Sequence, residues 1–139
     1  MKTIAMMFIA VFSAGLVMAD NPHLVSGPTF SDNGNTLTVT GGIAGLGNNK
    51  LAIISVTALV EVSTICTNKG GNVAPGQSKT ETIRFSGKFI SDKNGRVNFT
   101  ITSEVPKPGL CPNGNWKGEV TDVSFSNMVI TINRDQVYP

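Results

Sequence analysis

Two hydrophobic patterns divide this chain. Residues 4–17 form a short, almost uninterrupted apolar run, whereas from residue 23 onward apolar and polar side chains tend to alternate. Period-two alternation is the mark of strands with one buried face. No segment sustains apolar residues at helical spacing. A first strand is expected over residues 23–30, where Gly27-Pro28 demotes it to an edge or kinked strand. Residues 31–35 read Ser-Asp-Asn-Gly-Asn, a turn, because Asn-Gly tolerates the positive φ of tight hairpins. Residues 36–43 follow, with Leu37, Val39 and Ile43 on one face and Thr36, Thr38 and Thr40 on the other. Residues 45–49 turn the chain.

The strongest strand signal is at residues 51–67. Ala52, Ile54, Val56, Ala58, Val60, Val62 and Cys66 share one face of it, and Ser55, Thr57, Glu61 and Ser63 the other. That length predicts a bend, a bulge or a passage between sheets. A polar Gly/Pro loop at residues 68–78 leads to a strand at 80–90 with Ile83, Phe85 and Phe89 inward. Asp92-Lys93-Asn94-Gly95 predicts a hairpin joining it to a strand at residues 96–102, with Val97, Phe99 and Ile101 inward. A second long loop covers residues 103–115, and strands at 116–122 and 123–133 close the chain. Val123 and Phe125 share one parity but Met128, Ile130 and Ile132 the other, so a one-residue slip belongs near Ser126-Asn127. Roughly seven short strands with turns at this spacing predict an all-β fold, an antiparallel β-sandwich, with a small barrel as runner-up.

The first apolar run reads as a signal peptide. Lys2 gives it a positive start, and Val17-Met18-Ala19 suits cleavage before Asp20. Residues 1–19 are thus expected to be removed, leaving residues 20–139 as one domain, secreted to the periplasm or the exterior. Without Lys2, the eleven Lys and Arg fall to ten against nine Asp and Glu, a net charge of +1. Such a balance offers no electrostatic case for nucleic acid and no basic block for an anionic membrane. No cysteine follows the leader and no apolar tail follows Asn133, so neither a lipid anchor nor membrane insertion after leader removal is expected.

Cys66 and Cys111 are the two cysteines, and in an oxidising compartment they are expected to form one disulfide. The alternative is a pair of buried free thiols. A bond between them closes a loop of about 46 residues, a stabilisation of roughly 4 kcal/mol in the chain-entropy model.

Motifs for catalysis are nearly absent, and no enzyme activity is expected. His23 is the one histidine, and no nucleophile motif accompanies it. An N-terminal copper site fails on either cut, since His23 falls fourth or else follows Pro22, which has no N–H to deprotonate. A zinc site needs more His or Cys than the chain has. Glu61, Glu81, Glu104, Glu119 and Asp122 are the carboxylates available for hydrolysis, and nothing in the sequence pairs any two. Asp32, Asn33, Asn35, Asp92 and Asn94 make oxygen-rich turns, but without the spacing of a calcium loop. Asn98-Phe99-Thr100 has the form of a glycosylation sequon. No cofactor and no metal are expected.

The constellation that points to recognition is the pair of long loops. A disulfide would pin residues 68–78 beside residues 103–115, with Trp116, the single tryptophan, immediately after. Rigidly held loops at one end of a sandwich are common recognition surfaces, and a tryptophan there stacks on sugars or anchors a protein. The plainer alternative is that Trp116 packs as core against the disulfide. The candidate contact residues are Asn68, Lys69, Asn72, Asn113, Asn115 and Trp116, with Lys107 and Lys117 adding positive charge.

Several stretches carry a resemblance: Asn21-Pro22-His23, Ile43-Ala44-Gly45-Leu46-Gly47-Asn48, the run from Cys66 to Gln77, Cys111-Pro112, Trp116, and Thr121-Asp122-Val123-Ser124-Phe125. In these the chain resembles a group of short, uncharacterised secreted bacterial proteins. The resemblance implies export and an immunoglobulin-like sandwich, and brings no activity or functional residue with it. The expected function is that of an extracellular, non-catalytic binding module for a surface glycan or a protein. A self-associating structural protein of the matrix or surface is the first alternative. An enzyme inhibitor presenting residues 107–113 is the second.

Overall fold

The computed structural model describes residues 21–139, so the expected signal peptide lies outside the described residues. The strands are β1 (His23–Asp32), β2 (Leu37–Ala44), β3 (Leu51–Asn68), β4 (Val73–Pro75), β5 (Lys79–Ile90), β6 (Val97–Thr102), β7 (Trp116–Ile132) and β8 (Asp135–Tyr138). They form two antiparallel sheets. One has the order β1-β2-β6. In the other β3 is central, with β7 and then β8 on one side and β5 on the other, and β4 pairs the last residues of β3 on the β5 side.

The alternating pattern decides what lies between the sheets. Ala52, Ile54 and Val56 of β3 and Ile130 and Ile132 of β7 meet Leu37, Val39 and Ile43 of β2 and Val97, Phe99 and Ile101 of β6 in one buried cluster. Gly41 lies directly opposite Phe99, and a Cβ there would stand 2.9 Å from the ring, so the glycine makes room for the largest core side chain. Phe30 of β1 and Tyr138 of β8 close one side of this layer, their ring centroids 5.4 Å apart. A second, smaller cluster of Val60, Val62 and Val123 lies farther along β3.

Two expectations need correction. Asp92 to Gly95 do form a turn, with Gly95 N–H donating to the Asp92 carbonyl at 3.0 Å, but not a hairpin. β5 pairs with β3 and β6 with β2, so this turn carries the chain from one sheet to the other. The final two strands are one, β7, and the parity change near Ser126-Asn127 is a bulge within it. There the pairing shifts by one residue between Thr57↔Val129 and Leu59↔Ser126, and Asn127 takes a φ of 52°. A second shift lies between Ser63↔Asp122 and Thr64↔Val120.

Two short strands also go beyond the expected set. β4 lies within the loop expected at residues 68–78. β8 follows a two-residue turn at Asn133 and Arg134, both at positive φ, the geometry that matches strand twist in a tight hairpin. Asn133 also extends the pairing of β3, accepting from Ile53 N–H through Oδ1 at 2.9 Å and donating its own N–H to Ile53 O at 3.0 Å.

Candidate functional site

β3 and β7 run on past the three-stranded sheet, and their far ends hold the candidate site. Here residues 103–115 replace the second sheet as cover. The bond between Cys66 and Cys111 fixes them, with Cα atoms 5.9 Å apart and a sequence separation of 45. Cys66 is fully buried on the inward face of β3, as its register predicts. Thr64, also buried, receives the Gly109 N–H on Oγ1 at 2.7 Å. Its carbonyl takes the Gly76 N–H at 2.9 Å. Gly76 and Gly118 flank the bridge so closely that a Cβ on either would stand 3.0 or 3.1 Å from a cystine sulfur. The two long loops also join each other directly, Gln77 N–H donating to Leu110 O at 2.9 Å. The side-by-side loops expected from the sequence are therefore present.

At the outer tip Asn68 pairs with Trp116 across β3 and β7. A shallow hollow of about 440 Å3 opens beside this pair. Asn68, Lys69, Asn115 and Trp116 line it, four of the six candidate contact residues. Asn72 and Asn113 do not. Asn72 donates its N–H to Asn68 Oδ1 at 2.9 Å, closing the turn after β3. Asn113 accepts the Asn115 N–H on Oδ1 at 2.9 Å and the Trp116 N–H on its carbonyl at 3.2 Å. Both asparagines shape the rim instead. Gly114 of the loop and Thr67, Lys117 and Glu119 of β3 and β7 complete the lining. Trp116 is half-buried and belongs to neither buried cluster.

A larger groove, about 600 Å3, runs between β5 and residues 102–107. Ile83, Phe85, Val105 and Pro106 supply its apolar part. Glu81 and Glu104 both line it, which the sequence did not suggest. It exists because β5 and β6 enter different sheets and leave their edges apart. Glu81 is also within 3.4 Å of the Lys79 ammonium.

The other sequence candidates have structural partners. His23 Nδ1 lies 2.8 Å from Asn21 O at the start of β1. Asp32 Oδ1 accepts the Gly34 N–H at 2.8 Å, and Asp92 Oδ1 accepts those of Asn94 and Arg96 at 2.8 and 3.0 Å. The Arg96 N–H is the main reason the Asp92 carboxyl is held below its ordinary value. These are Asx turns bonding their own backbone. Asn98 is exposed on β6. Among the described residues no three His, Cys, Asp or Glu side chains converge as a metal cage requires.

Compared with known proteins, the chain matches no family model and no curated protein.

Proposed function

We propose that this protein is an exported, non-catalytic binding module whose contact surface is the disulfide-tied tip. One observation carries the reading. The only tryptophan stands half-exposed at a 440 Å3 hollow, on a frame held by a cystine and by a buried threonine. An aromatic face beside Asn68, Asn115, Lys69 and Lys117 suits a surface glycan, which stacks on the ring and hydrogen-bonds to amides, or a protein anchor. The order β1-β2-β6 against β5-β3-β7-β8 supports an immunoglobulin-like sandwich of the kind the resemblance implies. A structural disulfide supports a secreted or periplasmic location.

The test is Trp116→Ala, checked for native circular dichroism and screened against glycan arrays and cell-envelope fractions. The expected loss is about 2 kcal/mol, roughly thirty-fold in Kd. Undiminished binding by the folded variant removes Trp116 from the surface.

A second reading, self-association, has one observation in its favour. Among the described residues β5 pairs only with β3, so alternate residues from Thr80 to Ile90 turn their backbone groups toward an open edge. Concentration-dependent sedimentation favours this reading, and a monomer at all concentrations removes it. The inhibitor reading loses support at Leu110. That residue is 71% exposed, but its carbonyl is engaged by the Gln77 N–H and is not free for a protease oxyanion hole.

A further inference from the structure

Asn-Gly occurs three times, at Asn33-Gly34, Asn94-Gly95 and Asn113-Gly114. We propose that Asn113 is a site of spontaneous modification, cyclising with the Gly114 nitrogen to a succinimide that opens to aspartyl and isoaspartyl forms. In this step the Gly114 backbone nitrogen attacks the Asn113 side-chain carbonyl carbon and gives its proton to solvent hydroxide. The side-chain nitrogen takes a proton from water and leaves as ammonia, regenerating the hydroxide. Water then adds at either ring carbonyl, leaving a new carboxylate and a backbone that either keeps its path or detours through the side chain. No co-reactant beyond water and hydroxide is needed.

What separates the three sites is the nucleophilic nitrogen. Gly34 N–H is held by Asp32 Oδ1 at 2.8 Å, and the Asn33 side-chain nitrogen donates to Thr36 and Thr38 hydroxyls at 3.1 and 3.0 Å. Gly95 N–H is held by the Asp92 carbonyl at 3.0 Å, and Gly95 is itself buried against Gly47. Gly114 is exposed, with no atom beyond its chain neighbours within 4 Å of the position of its missing Cβ, and its N–H has no hydrogen-bond partner among the described residues. At the same site the Asn115 N–H donates to Asn113 Oδ1 at 2.9 Å, drawing electrons from the carbon under attack. A free nucleophile and a polarised carbonyl coincide only at position 113.

The consequence falls on the tip. The Asn113 carbonyl accepts the Trp116 N–H at 3.2 Å. In the isoaspartyl form that carbonyl leaves the chain path as a free carboxylate, so the turn before Trp116 is broken. A negative charge also arrives at the rim of a hollow whose lining includes Lys69 and Lys117. The proposal does not depend on the binding reading, since the chemistry needs only the loop.

The test is ageing of the intact, disulfide-bonded protein at mildly alkaline pH. Peptide mapping resolves aspartyl from isoaspartyl products, and Trp116 emission reports on the turn. Conversion is expected several-fold faster at Asn113 than at Asn33 or Asn94, with Trp116 emission shifting in step. Gly114→Ala, which fits without a clash, is expected to slow conversion more than ten-fold. In the reduced, denatured chain the three sites are expected to react at similar rates. Equal rates in the folded protein, or Asn33 or Asn94 reacting first, would overturn the proposal. Selectivity that survives denaturation would assign it to sequence and not to the fold.

Discussion

The two ends of β3 secure segments that cross or cap the sheets, and they do so by different means. At the Leu51 end two crossings, residues 45–50 and 91–96, lie against each other under hydrogen bonds, with Leu46 buried in the core and no covalent link between them. Leu46 N–H donates to Gly95 O at 3.1 Å, and Ser91 N–H to Lys50 O at 2.9 Å. The Ser91 hydroxyl, 3% exposed, accepts the Lys50 N–H at 2.8 Å and donates to Gly47 O. Both sheets cover this end, and twelve buried residues form its core. At the Asn68 end the second sheet is missing and three valines make the whole buried cluster. There a covalent bond supplies what the thin core does not. The lesson is that a loop over a well-covered core is held by satisfying its polar groups, whereas a loop over a poorly covered one needs a constraint that does not rely on burial.

The largest expected effect breaks the second arrangement. Cys66→Ala with Cys111→Ala is expected to lower stability by about 2–5 kcal/mol, read from urea denaturation. The loss should be uneven. Hydrogen exchange should rise first over residues 68–78 and 103–115, while amides around Ile54, Val56 and Phe99 keep their protection. Uniform loss across both ends would mean that the two are one cooperative unit and the contrast is false.

A smaller effect sharpens the first arrangement. Ser91→Ala strands the Lys50 N–H and the Gly47 carbonyl in a partly buried position, an expected loss of about 1–3 kcal/mol. Ser31 precedes an aspartate in the same way, but it is exposed in a true hairpin, so Ser31→Ala is expected within about 0.5 kcal/mol of wild type. The paired thermal melts check this directly. Equal losses would deny Ser91 its role in holding the crossings.

The same two serines explain how far the sequence could be read. Ser31-Asp32-Asn33-Gly34 and Ser91-Asp92-Lys93-Asn94-Gly95 carry nearly the same turn chemistry, and both make turns. Turn chemistry fixes the reversal and says nothing about which strands then pair. That choice rests on Ser91 meeting residues 41 and 44 positions away, a contact with no local signature. Alternation was legible wherever one face is buried, so the β3 core face, the inward face of β6 and the bulge at Asn127 were all readable. β4 was not, because Val73 to Pro75 are three residues without a pattern. At the tip, the union of the two loops followed from the cysteines. Lys117 was placed there too, but the lining by Thr67 and Glu119 did not follow, because it depends on β3 and β7 both running beyond the second sheet.

The smallest expected effect concerns pH at the crossing formed by residues 91–96. Asp92 Oδ1 accepts the Arg96 and Asn94 N–H groups, and these bonds, with the nearby Arg96 and Lys93 charges, outweigh desolvation and lower its pKa in the folded state. A folded pKa below the unfolded one contributes stability above the unfolded value, and that contribution fades as pH falls through the folded value. Asp92→Asn removes the ionisation. The wild type should therefore exceed the variant most at neutral pH, and the difference should narrow on acidification below the ordinary carboxylate range. Urea midpoints of both proteins, measured from neutral to strongly acid pH, check the sign. A difference that widens in acid would mean that the neutral carboxyl, not the carboxylate, is what the Asn94 and Arg96 amides hold.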